Sequence, residues 1–113
     1  MQLTLNQIKK IVGGRYQGDP GLLKKTIRDI SINSKDINKN DLFIGIKGEK
    51  FDGDNFAEGA IKKGAIAALI SKDIKSVSNK IIVKDGREAL GKIAQYWKTQ
   101  SKLPLVAITG SNG

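Results

Sequence analysis

DLFIGIKGEKFDGDNFAEGAIKKGAIAALIS, residues 41–71, decides the fold class, because it changes periodicity twice. Residues 41–48, DLFIGIKG, read as a strand that is apolar enough to be buried. A loop of charge and glycine follows. Phe56, Ala57, Ala60 and Ile61 then recur at helical spacing and point inward, with Asn55 and Glu58 as the N-terminal cap and Gly64 as the stop. Residues 65–71, AIAALIS, carry apolar side chains on both faces, as a covered strand does. Strand, helix and strand joined by short connections form a parallel βαβ unit with a right-handed crossover.

Working outward, TIRDISINS (26–34) reads as a half-buried strand with Ile30 and Ile32 inward, and KIIVKD (80–85) as another. Thr4-Leu5-Asn6-Gln7 is a capping box for a first helix, with Leu3 and Ile8 placed as a hydrophobic staple. Leu5, Ile8, Ile11 and Val12 form its apolar face, and Gly13-Gly14 ends it. A turn-rich stretch, Gly18 to Gly21, comes next. Asp85 to Glu88 is a second capping box, opening a longer helix with Leu90, Ile93, Ala94 and Trp97 on one stripe. Pro104 ends that connection, and Leu105–Ile108 is a last strand. The pattern specifies an α/β layer fold.

The chemistry open to this chain is narrow. It has 113 residues, one domain's worth, and neither cysteine nor histidine, so thiolate chemistry, imidazole bases and imidazole metal ligands are excluded. Nothing approaches the roughly 18 apolar residues of a membrane span, and the N-terminus lacks a signal-peptide pattern, so no membrane insertion and a cytoplasmic location are expected. A net charge of +9 could serve nucleic acid. The lysines, however, are scattered singly and in pairs, and aromatics at 5% do not interleave with them as a stacking platform would. A lysine-rich solvated surface is the expected reading, with no nucleic-acid partner; a small anionic ligand fits as well.

Two regions could hold such a ligand. LVAITGSNG (105–113) is a strand entering a glycine turn, and Gly110, Ser111, Asn112 and Gly113 could turn their amides toward a phosphate. A phosphate loop would continue with a lysine and a hydroxyl residue. On the residues alone, Asn112-Gly113 also suits an ordinary tight turn. The second region holds two polar clusters beyond strand ends, Ser31-Asn33-Ser34-Lys35 and Glu49-Lys50-Phe51-Asp52-Gly53, at the edge where open α/β sheets collect ligands. Asn33 and Ser34 equally suit a local side-chain turn, and Asp52-Gly53 a plain turn before a helix cap.

Ser34-Lys35, DLFIGIKGEKFDGDNF (41–56), AIKKGAIAALIS (60–71), the helix ALGKIAQYW (89–97) and AITGSNG (107–113) stand in an order and spacing that resemble the N-terminal domain of the Mur ligases. The forms GEKFDG and ITGSNG are most similar to the branch that adds D-alanyl-D-alanine to UDP-MurNAc-tripeptide; an amino-acid-adding branch is the alternative. Lys35 departs from the arginine usual in the family.

The resemblance implies an α/β fold with a small mixed sheet and flanking helices, and residues 1–104 as a domain holding the UDP end of the substrate. It implies residues 105–113 as the start of an ATP-binding central domain, with a phosphate loop that is incomplete without its lysine. It implies Ile32 and Ser34 beside uridine and diphosphate, and Gly48, Glu49, Lys50 and Phe51 as the facing loop. It places ATP, Mg2+ and D-Ala-D-Ala with other domains of a bacterial, cytoplasmic enzyme. No residue of this chain is implied in the chemical step, and the 113-residue chain by itself is expected to be inactive.

Overall fold

The computed structural model describes residues 3–48 and 52–100. Helix α1 (Leu5–Val12) begins at the expected capping box: Thr4 Oγ1 accepts from the Gln7 amide at 3.2 Å, and Gln7 Oε1 accepts from the Thr4 amide at 2.8 Å. It ends at Gly13, whose φ of 67° is the left-handed conformation that glycine adopts without strain. The other elements are β1 (Arg15–Gln17), β2 (Ile30–Ser31), β3 (Leu42–Ile44), α2 (Ala57–Lys63), β4 (Ala67–Ile70), β5 (Lys80–Ile82) and α3 (Gly86–Gln100).

The sheet runs β1-β5-β4-β3-β2. Strands β2 to β5 are parallel, and β1 joins β5 antiparallel, so the sheet is mixed as the family resemblance implies. Both faces are covered. Leu42, Ile44, Ala67, Leu69 and Ile81 pack with Leu5, Ile8, Val12, Ala89 and Ile93 of α1 and α3. Phe43, Ala68 and Ile70 point the opposite way and pack with Ala57 and Ala60 of α2. Adjacent residues of β3 and β4 thus serve opposite layers, which is why these strands are apolar throughout.

Five sequence expectations are corrected. β1 falls in a stretch without strand periodicity; its pairing with β5, Tyr16 opposite Ile81, creates it. β2 is only two residues long, and Ile32 is 54% exposed, because the chain leaves the sheet after Ser31. Phe56 is 46% exposed instead of inward: residues Gly53–Phe56 form a 3-10 turn, which rotates Phe56 out of the helical stripe. Asp52, not Asn55, caps that turn, its side chain accepting from the Asp54 amide at 3.0 Å. In α3, Ile93 is buried and Leu90 and Trp97 pack against the core as expected, joined by Ala89, but Ala94 is exposed; Asp85 caps by accepting from the Arg87 amide at 3.0 Å. The expected strand Leu105–Ile108 lies outside the described residues.

Candidate functional site

The carboxyl ends of the parallel strands define one edge of the sheet, where backbone groups leave the ladder and clefts form. Beyond β2, the local-turn reading is right for part of the first cluster. Ser31 Oγ accepts from the Asn33 amide at 3.1 Å, and Asn33 Oδ1 accepts from the Lys35 amide at 3.0 Å, capping a 3-10 turn over Ser34–Asp36. Asn33 Nδ2 donates to Asp36 at 3.1 Å. The Ser34 hydroxyl takes no part in this turn and makes no hydrogen bond among the described residues. Lys63 on α2 donates to the Lys35 carbonyl at 3.0 Å and ties the turn to the neighbouring helix.

Ile32, Asn33, Ser34, Lys35 and Phe56 line a groove of about 440 Å³, within the size range of small-molecule sites. Ile32 and Phe56 are the exposed large apolar side chains among the described residues, and both belong to this groove. Two of the expected site residues, Ile32 and Ser34, therefore meet here. Asn33 and Lys35, from the polar cluster that the sequence singles out beyond this strand, line the same groove, and Phe56 joins them without having been assigned to it from sequence. The signal for Phe56 was masked by a helical spacing that a 3-10 turn interrupts.

Beyond β3, Gly48 is exposed, and Lys47 and Asp52 pair as an antiparallel bridge on either side of residues 48–51. Glu49, Lys50 and Phe51 lie outside the described residues, as do Gly110, Ser111, Asn112 and Gly113. Asp52 is held by Lys72, 2.8 Å away, just past β4. The hydrogen bond from Lys72 keeps the Asp52 carboxyl below the usual carboxylate range despite some desolvation, and the same contact raises the Lys72 ammonium. Beside it, Asp54 is buried, and its Oδ2 accepts from the Ser71 amide at 3.0 Å and from the Ser71 hydroxyl at 2.6 Å.

Glycines let this edge close. A Cβ on Gly45 would collide with Asp54, and one on Gly86 would collide with the Gly45 carbonyl. The start of α3 thereby rests on the end of β3.

A second groove, about 520 Å³, runs between α1 and α3 and is lined by Lys10, Ile11, Lys92, Gln95, Tyr96 and Thr99. Among the described residues no group of three or more carboxylates could hold a metal ion. No helix of the described residues is long and apolar enough to cross a membrane.

The Mur ligase family, catalytic domain, matches residues 26–98, which include the groove and the whole βαβ unit. The chain is 40% identical over 97 residues to the UDP-N-acetylmuramoyl-L-alanyl-D-glutamate–2,6-diaminopimelate ligase of Aquifex aeolicus, covering 84% of this chain and 20% of that protein. It is 34% identical over 113 residues to the UDP-N-acetylmuramoyl-tripeptide–D-alanyl-D-alanine ligase of Escherichia coli, covering 100% of this chain and 24% of that protein. Among solved structures, MurF from Acinetobacter baumannii superposes with a TM-score of 0.80 at 26% identity, over 90% of this chain and 22% of that one. The chain thus spans about a fifth to a quarter of the length of the relatives it matches. A mixed sheet with a βαβ centre, a groove at its carboxyl edge and matches that include both lead to one conclusion: this chain belongs to the Mur ligase family.

Proposed function

We propose that residues 1–104 form the UDP-substrate-binding domain of an ATP-dependent ligase that adds D-alanyl-D-alanine to UDP-MurNAc-tripeptide, with residues 105–113 belonging to the ATP-binding domain. The observation that carries this reading is the groove beyond β2, which a hydroxyl unused by its own turn lines together with two exposed apolar side chains. Ile32 and Phe56 suit the faces of a uracil ring, and Ser34 can donate to a carbonyl or phosphate oxygen. Lys35 supplies positive charge for the diphosphate as a point charge, without the bidentate fork of an arginine. Gly48, Glu49, Lys50 and Phe51 complete the facing wall, with backbone amides for phosphate and a further cation at Lys50.

In the complete reaction the substrate carboxylate is activated by phosphoryl transfer from ATP, and the amine of D-Ala-D-Ala then forms the amide with loss of phosphate. This chain's part is to hold the UDP end so that the distant carboxylate is positioned for that step. ATP and Mg2+ are assigned to other domains together with Gly110, Ser111, Asn112 and Gly113, and no step is routed through the described residues. The 113-residue chain by itself is accordingly assigned no ligase or ATPase activity.

The match to the Escherichia coli enzyme over all 113 residues of this chain and the fold match to MurF favour the D-alanyl-D-alanine branch. The 40% identity to the Aquifex aeolicus enzyme supports a second reading, the amino-acid-adding branch, for the same groove. Binding selectivity tests the class of ligand. The chain is titrated with UDP, UDP-MurNAc-tripeptide, ATP and a short RNA, following backbone amide shifts. Saturable shifts with the uridine ligands, and weaker response to ATP and RNA, are expected. A response to RNA alone would replace this reading with a nucleic-acid-binding one.

A further inference from the structure

We propose that Asp54 and Ser71 form a positioning clamp that holds Phe56 in place as a wall of the groove, and so set the affinity of the site for a uridine nucleotide. The inference rests on the reading of the groove given under Proposed function. Its structural basis is a double staple. Successive residues just past β4, Ser71 and Lys72, grip Asp54 and Asp52, which bracket Gly53 at the start of the 3-10 turn. Asp54 is 2% exposed, and its carboxylate receives both the amide and the hydroxyl of Ser71. Its backbone carbonyl accepts from the Ala57 amide, the first residue of α2. Phe56 therefore sits between two backbone positions that the Asp54 residue fixes, while its own side chain faces the groove.

Gly53 tightens the arrangement by donating its amide to the Ile46 carbonyl at 3.0 Å. A Cβ on Gly53 would run into the Ile46 backbone, so the turn is pressed against the chain leaving β3. A buried carboxyl group is a costly way to hold a surface turn, since its desolvation is offset only if its hydrogen bonds are well made. What it provides is a rigid wall: an aromatic face already in its bound position loses less conformational freedom when a base stacks on it. Asp54 and Ser71 are positioning residues, acting through Phe56 and not by touching the ligand.

The test uses the 113-residue chain with UDP as the probe, and dissociation constants from amide-shift titration. Ser71→Ala is expected to weaken UDP binding about threefold to tenfold, the range for one lost hydrogen bond. Ser71→Thr, which keeps the hydroxyl, restores affinity to within about twofold. The decisive readout is a double-mutant cycle. Adding Ser71→Ala to Phe56→Ala should cost nothing further, whereas adding it to Ser34→Ala should multiply the two losses. Lys72→Met loosens only the exposed staple, spares the fold, and should raise the dissociation constant about twofold at low salt.

The clamp is overturned if Ser34→Ala and Phe56→Ala weaken binding while Ser71→Ala and Lys72→Met leave it unchanged. It is equally overturned if the Ser71 and Phe56 losses multiply. If Ser34→Ala and Phe56→Ala both leave UDP affinity at the wild-type value, the groove itself is misassigned, and the clamp falls with it.

Discussion

Lys80, buried on β5, places its ammonium 2.6 Å from the carboxylate of Asp73 and donates to the Ile74 carbonyl at 2.7 Å. The pair closes the connection between β4 and β5. Its two halves are not equivalent, because the lysine is buried and the aspartate is part-exposed. Asp73→Asn should lower the melting temperature more than Lys80→Met, since the first leaves a buried ammonium short of its counter-charge and the second removes the charge itself. Thermal melts of the two variants give the comparison; equal or reversed losses would contradict it.

Acid should loosen the same edge of the molecule. The hydrogen bonds from Lys80 and then Lys75 hold the Asp73 carboxyl below its usual range, and that from Lys72 does the same for Asp52. Groups with depressed folded values contribute stability that is fully present above the unfolded value, about pH 4, and is lost as pH falls through the folded value. Urea midpoints should fall as pH drops below about 4 and fall less steeply in an Asp73→Asn, Lys72→Met double variant. An unchanged slope in that variant would show that other carboxylates govern acid unfolding.

The core makes a sharper distinction between layers. Phe43 is 1% exposed and faces α2, whereas Ile44, fully buried, faces α1 and α3. Phe43→Ala should cost about 3–5 kcal/mol and Ile44→Val about 0.5–1.5 kcal/mol in chemical denaturation. A small loss at Phe43 would mean that the α2 layer repacks freely, contrary to the tight alanine contacts it makes.

At the amino end, Thr4→Ala removes one half of the capping box and should cost about 0.5–2 kcal/mol. Gly86→Ala should cost about 1–3 kcal/mol by a different route, because the new methyl group meets the Gly45 carbonyl and backbone cannot rotate away. Denaturant midpoints would measure both. A neutral Gly86→Ala variant would mean that α3 can shift on the sheet without penalty.

Much of the framework was legible because it is written in local rules. The Thr4 box, the Gly13 stop and the continuous apolar runs of β3 and β4 each depend on residues a few positions apart. What escaped depends on partners far along the chain. β1 exists through β5, some 65 residues away by the Tyr16–Ile81 pairing. The burial of Asp54 depends on Ser71, and the exposure of Phe56 on a 3-10 turn that helical periodicity cannot distinguish from a first helical turn. In the groove, Ile32 and Ser34 were found by resemblance to a family. Spacing alone left Ser34 divided between a turn and a ligand contact, and the hydrogen bonds now give the turn to Asn33.

The groove at Ile32–Lys35 and Phe56 is proposed to hold the UDP end of a ligase substrate. A UDP titration of the chain mapped by backbone amide shifts, repeated on Ser34→Ala, tests it most directly. The largest shifts are expected on residues 32–35 and 56, and Ser34→Ala is expected to weaken binding several-fold to about tenfold. Shifts confined to Lys10, Ile11, Gln95 and Thr99, in the groove between α1 and α3, with Ser34→Ala binding as tightly as wild type, would contradict it.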